Sequence, residues 1–213
     1  TPERAEYIKD EVSAYEKSLY SFDYNTEPYA WWNYADTANI AEYYLINEFT
    51  CNYDVGGRST YLYKDVRGKY KMVIWDMNSC CDNFHDSYMD PQGLHLQAIT
   101  WFVMYMRDPG FVDQVIERYR SLRETFLSDE YLLSYIDDVV EYIAPAVERN
   151  FEVWGYSFEG YRPLDPDERN PDSFEEAVAQ LKEFCVERGE WLDENIEALR
   201  QYGHYSANKK FNH

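Results

Sequence analysis

Two aspartates, Asp54 and Asp76, stand 22 residues apart at the two ends of a stretch that reads as one β-hairpin, and a hairpin folds its ends together. Paired carboxylates in one space suit phosphoryl transfer. One can orient and deprotonate an attacking hydroxyl while the other holds the Mg2+ that bridges nucleotide phosphates. Asn78, two residues beyond Asp76, adds an oxygen donor, and hard oxygen ligands favour Mg2+ over a softer metal. Arg58 follows Gly56 and Gly57 and is placed to orient Asp54 or to contact phosphate. Each residue also has a plainer reading. Asp54 could be a solvated loop residue, Asp76 a strand-end cap, Asn78 a turn residue and Arg58 half of a surface ion pair.

The hairpin runs from Ser59 to Asn78 as "STYLYKD", the turn "VRG" and "KYKMVIWD", with Gly68 in the turn and β-branched and aromatic residues on both sides. Trp75 is expected to be the buried anchor that holds Asp76. Everything else reads as helix or loop. Apolar spacing of three and four predicts helices over 3–20 and 36–50, the second with Asp36 as N-cap and Ile40, Tyr44 and Leu45 facing inward. After the loop "SCCDNFHDSYMDPQG", helical spacing resumes over Leu94–Met106, with His95 on the helix face. Asp108 and Pro109 then read as N-cap and first helical residue.

Ser128 opens a further helix whose period is kept by Leu132, Ile136, Val139, Val140 and Ile143, with Pro145 expected to kink or end it. Residues 155–172 read as a loop. Ser173 and Glu176 form a capping box for a last helix, and the tail over 203–213 is expected to fray. The fold class predicted is mainly α with one small β-hairpin, in a single domain spanning 1–213.

The chain carries 40 acidic and 20 basic residues, a formal net charge of −20, which argues against gripping nucleic acid or an anionic membrane. No apolar run is long enough to span a membrane, and "TPERAEYIKD" is not a leader sequence. The direct opening into helix suggests a piece of a longer protein. Tyrosine (22) and tryptophan (6) are abundant, so "PYAWWNYAD" is either a core staple or a sugar-stacking platform; the core is the default. Cys80 and Cys81 with His85 have short zinc-like spacing but no second Cys-x-x-Cys. If the aspartates converge, Cys51 comes near Cys80 and Cys81, close enough for a disulfide in an oxidising compartment.

The stretch "NEFTCNYDVGGRSTYLYKDVRGKYKMVIWDMNSCCDN" resembles the signature region of the spore coat protein H (CotH) kinase family of atypical kinases. The matching residues are Asn47 and Glu48, Asp54, Arg58, Ser59 to Tyr61, Tyr63 to Asp65, Trp75 and Asp76, and Asn83. The later segments "DPGFVDQVIERYRSLRETFLSDEYLLSYID", "AVERNFEVW" and "VAQLKEFCVERGEWLDENI" are similar to the family's helical lobe. The resemblance implies a protein-kinase-like C-terminal lobe (α+β), with the strand-rich N-terminal lobe absent and expected upstream of Thr1. It implies Asp54 and Arg58 as catalytic residues, Asp76 and Asn78 at the nucleotide, and Asp76, Asn78 and Asn83 on Mg2+. ATP would be the donor and a hydroxyl of a spore coat or surface protein the acceptor, in an extracellular, cell-surface or spore-coat location. The family pattern has Asp where this chain has Asn78, and Phe-Gly where it has Cys81 and Asp82; a neutral amide binds Mg2+ less strongly than a carboxylate. Two other readings stay open: a degenerate kinase-like lobe serving as a protein-interaction module, and a carbohydrate-active or carbohydrate-binding domain.

Overall fold

The computed structural model describes residues 1–84, 88–155 and 157–203; His85 of the zinc reading and the tail from 204 onward lie outside them. Helix α1 (Pro2–Tyr20) starts at Thr1, whose hydroxyl accepts from the Arg4 N–H, with Pro2 at the first helical position. Helix α2 (Thr37–Phe49) starts at Asp36, whose carboxylate accepts from the Asn39 N–H at 3.1 Å. Its Ile40, Ala41, Tyr44 and Leu45 are buried, and the helices over Pro109–Arg123 and Phe174–Asn195 pack around it with the hairpin. Burial of these side chains, at about 25 cal/mol per Å2 of apolar surface, makes α2 the axis of the core.

The two strands are shorter than the sequence suggests: β1 (Tyr61–Tyr63) pairs antiparallel with β2 (Lys71–Val73), Leu62 opposite Met72. Met72 points its N–H and C=O away from β1, and the Asn39 side chain takes both, accepting at 2.7 Å and donating at 3.3 Å. Tyr70, just before β2, exchanges backbone bonds with Tyr34 and Asp36 at the entry to α2. Lys64 forms an ion pair with Glu11, which ties the hairpin to α1 as well.

A helix over Leu94–Met106 does not form; only α3 (Phe102–Tyr105) does. The start of this segment is instead tied down by long-range partners. Glu48 accepts from the His95 and Leu96 N–H groups, and Arg188 donates to the carbonyls of Pro91 and Gly93. His95 is therefore not on a helix face, and its Nε2 lies 2.8 Å from the Asp90 carbonyl.

Helix α4 (Pro109–Arg123) begins at Asp108, and α5 (Asp129–Trp154) at Ser128. Proline 145 does not end α5, which continues to Trp154 and closes at Gly155 in the left-handed region (φ 59°). The carbonyl of Glu141, deprived of its donor by Pro145, is on an exposed turn where water can serve it. Helix α6 (Phe174–Asn195) has the expected cap: the Ser173 hydroxyl accepts from the Glu176 N–H, while Glu176 reaches back to the Asp172 N–H. Trp31 is fully buried, its indole donating to Asp108 at 3.1 Å and its ring edge-on to Phe111, so "PYAWWNYAD" staples the core and presents no Trp31 platform.

Candidate functional site

The C-terminal end of α2 sets Asp54. The Asn47 side chain donates to the Tyr43 carbonyl and accepts from the Asn52 side chain, each at 2.7 Å, so Asn52 is fixed against the helix. Asn52 in turn accepts from the Asp54 N–H at 3.2 Å. Chain reversal is tight: Cys51 has φ 48° and Gly56 φ 84°. A Cβ on Gly56 would meet Ile99 Cγ2 at 2.4 Å, so the loop carrying Asp54 needs glycine there for both space and conformation. The Arg58 N–H donates to the Asp54 carbonyl at 2.8 Å, while its guanidinium is exposed.

Asp76 stands at the other end of the hairpin in the left-handed region (φ 56°, ψ 63°), heading a short 3-10 turn, Met77–Ser79. Its carboxylate is exposed and has no hydrogen-bond or ion-pair partner among the described residues. Trp75 is not a buried anchor: it is 59% exposed, and its ring meets that of Tyr61 edge-on, at 5.6 Å. The turn after Asp76 holds the position instead. Ser79 Oγ donates to Asp54 Oδ2 at 3.5 Å, Asn52 donates to the Met77 sulfur at 3.4 Å, and the Cys81 N–H donates to the Thr50 carbonyl at 2.7 Å. Segments 50–54 and 77–81 are thus laced together, and the loop of Asp54 lies beside the turn of Asp76.

Asn78 and Asn83 are both exposed, and the Asn83 amide donates to the Asn78 carbonyl at 2.9 Å. That leaves the two side-chain amide oxygens and the Asp76 carboxylate as hard donors carrying a single negative charge. Such a set fits an ion that fills its shell with water and phosphate oxygens better than one needing an all-protein cage. Among the described residues no group of three or more His, Cys, Asp or Glu side chains is arranged to hold a metal.

Sequence reasoning did not single out two supports of this region. Asp82 (φ 61°) accepts from Arg169 through both oxygens, at 2.7 and 2.8 Å, and from the Met89 N–H at 2.8 Å. Glu48, known from the sequence only as a motif residue, is buried against Arg188. A cavity of about 670 Å3 adjoins Asn78 and Asn83, its walls including Cys81, Arg169 and Phe184.

A family model described as CotH kinase protein matches residues 1–192. The chain belongs to the CotH kinase protein family. A search of curated proteins finds no match. For a CotH kinase the family implies ATP use, usually with a divalent metal, and a protein substrate. Among the described residues no helix is long and apolar enough to cross a membrane. The motif of this CotH chain divides its labour: Asn47 and Glu48 do structural work, while Asp54, Asp76, Asn78 and Asn83 lie at the surface end of the same framework.

All four cysteines are free thiols. Cys51 does not pair with Cys80 or Cys81: its sulfur faces the Asp90 carbonyl at 4.0 Å, and Cys80 faces the Met77 sulfur at 3.9 Å. Burial pushes the Cys51 thiol up to about 12.

Proposed function

We propose that the protein transfers the terminal phosphoryl group of ATP to a hydroxyl on a protein, with the two ends of the hairpin as its site and its helical body as a kinase-like C-terminal lobe. The observation that supports this is the lacing of segments 50–54 and 77–81, which brings the Asp54 loop beside the turn that Asp76 heads. Asp54, half-buried with one oxygen held by Ser79, orients the acceptor hydroxyl and takes its proton through the other oxygen. Arg58, exposed two residues after Gly56, pairs with phosphate oxygens.

Asp76, Asn78 and Asn83 would hold Mg2+ through oxygen. A bound Mg2+ would supply positive charge that neutralises the negative charge developing as the phosphoryl group moves. Trp75, exposed beside Asp76, offers a flat indole face on which a nucleobase can stack. The acceptor on this reading is a spore coat or surface protein, and the location extracellular, cell-surface or spore coat.

Isothermal titration with ATP in the presence of Mg2+ and then of EDTA tests the reading, followed by transfer of labelled γ-phosphate to protein. Saturable binding that EDTA abolishes is expected. Nucleotide binding indifferent to metal, or none, would sink it. A second reading, a protein-interaction module on a degenerate site, draws on Asn78, which leaves Asp76 as the one carboxylate of the ligand set. It predicts stable binding to a protein partner without any response to ATP.

A further inference from the structure

Between α5 and α6 the chain braces itself. Arg162 pairs with Asp167 and Asp172, and the buried Asn170 side chain accepts from the Leu164 N–H at 2.9 Å and donates to the Leu164 carbonyl at 2.7 Å. Arg169 donates to the Asp165 carbonyl at 2.6 Å within this segment and turns its other nitrogens onto residues 82–84, 85 and more positions earlier in the chain. Its Nε donates to Asp82 Oδ2 at 2.8 Å. Its Nη2 reaches Asp82 Oδ1 at 2.7 Å and the carbonyls of Asp82 and Phe84 at 2.8 and 2.9 Å. The Arg169 side chain is only 7% exposed, so water competes little for these bonds.

Residues 81 and 82 need such a grip. Cys81 (φ 53°) and Asp82 (φ 61°) are consecutive non-glycine residues in the left-handed region, which persists where the surroundings fix it. Arg169 fixes the Asp82 carboxylate from one side and the Met89 N–H, at 2.8 Å, from another. Asn83 follows directly. Its N–H donates to the Cys80 carbonyl at 3.0 Å and its amide to the Asn78 carbonyl at 2.9 Å, so it closes the turn on which Asn78 stands.

We propose that Arg169 is a positioning residue for the Mg2+ ligand set: by gripping residues 82–84 it fixes the amide oxygens of Asn83 and Asn78 relative to Asp76. The role rests on the phosphotransfer reading, from which those ligands come. Arg169 acts through Asn83, since its own fork is occupied by carboxylate and carbonyl oxygens. A set with one carboxylate and two neutral amides attracts a cation weakly, so its affinity depends strongly on the amides being held in place beforehand. The segment joining α5 to α6 thereby sets how much Mg2+ the site requires.

Two measurements test this, the first without metal or nucleotide. Hydrogen exchange of the Arg169→Ala chain should speed up at least about tenfold over residues 77–84, while peptides from α2 and α6 keep their protection. Asp82→Asn, which keeps the shape and tolerates the left-handed backbone, should act in the same direction and less strongly. Next, ATP binding is titrated at a series of Mg2+ concentrations. The Mg2+ midpoint should rise about 10- to 100-fold in Arg169→Ala, as for other supports of metal ligands. Asn83→Ala and the double variant complete a cycle, and the double variant should need no more than about twofold more Mg2+ than Arg169→Ala, because the two residues act in series.

Unchanged exchange over 77–84, an unchanged Mg2+ midpoint, or effects that multiply in the double variant would each overturn the role. Failure of the underlying reading looks different. If the wild-type chain binds no Mg-ATP, the phosphotransfer reading fails and takes this role with it; if the wild type binds and the Arg169 and Asp82 variants bind alike, the role alone falls.

Discussion

Glu48 and Asp76 are carboxylates of one motif region, and the fold treats them in opposite ways. Glu48 is fully buried. One oxygen accepts from Arg188 at 2.6 Å and from the His95 N–H at 2.9 Å; the other accepts from the Leu96 N–H at 2.8 Å and the Tyr44 hydroxyl at 3.1 Å. Arg188, also fully buried, donates from its two terminal nitrogens to the carbonyls of Pro91, Gly93 and Glu48 as well, while its Nε has no hydrogen-bond partner among the described residues. Asp76 has no such partners and sits in a backbone conformation that costs a non-glycine residue about 1–2 kcal/mol. A charge taken out of water must be matched at once by the protein. A charge left in water at a strained position is available to something else, and strain of this kind concentrates at functional sites.

Breaking the matched side should cost the fold itself. Arg188→Ala leaves the Glu48 carboxylate buried without its cation, so stability should fall by about 3–5 kcal/mol in urea unfolding. A loss under 1 kcal/mol would mean that the clamp on residues 91–96 is held by something else.

Breaking the open side should spare the fold and cost the chemistry. Asp76→Asn keeps shape and tolerates the left-handed backbone, so stability should stay within about 0.5 kcal/mol. Phosphotransfer should drop by at least about 100-fold, as for losses in a metal's ligand shell. Unfolding and activity measured on one preparation decide it; a large stability change with activity retained would reverse the contrast drawn with Glu48. The smallest effect is a gain. Asn78→Asp adds a second carboxylate, and Mg2+ should bind about fivefold more tightly, ~1 kcal/mol in solvent-exposed surroundings. An unchanged titration would take Asn78 out of the ligand set.

What the sequence revealed was local. The caps at Asp36, Asp108, Ser128 and Ser173 each bond within a turn of the backbone, and the hairpin announced itself through residue type and the turn at Gly68. Residues 94–101 kept a helical spacing that the fold overrides: the His95 and Leu96 N–H groups answer to Glu48, and the carbonyls of Pro91 and Gly93 just before them to Arg188, 140 residues further along than Glu48. Trp75 looked like core by residue type, yet its strand ends at Val73, before the chain turns into the body. For the cysteines, spacing pointed to a Cys51 pair, whereas the Cys51 sulfur faces the Asp90 carbonyl and the Cys80 sulfur faces the Met77 thioether. Asp54, Asp76 and their neighbours were legible as candidates because they bracket the hairpin. What the sequence did not disclose is that Ser79 and Asn52 do the lacing.

Helix α2 also serves as a ruler. Asn39 near its start suspends β2 by the Met72 backbone, and Asn47 near its end fixes the loop that leads into β1. Eight residues of helix set these two attachments about 12 Å apart and in a fixed angular relation. The spacing of the hairpin's two ends is therefore stored in the length of a helix that contributes no carboxylate to the site. A single residue inserted between Asn39 and Asn47 would rotate one attachment by about 100° against the other, and both could not be kept.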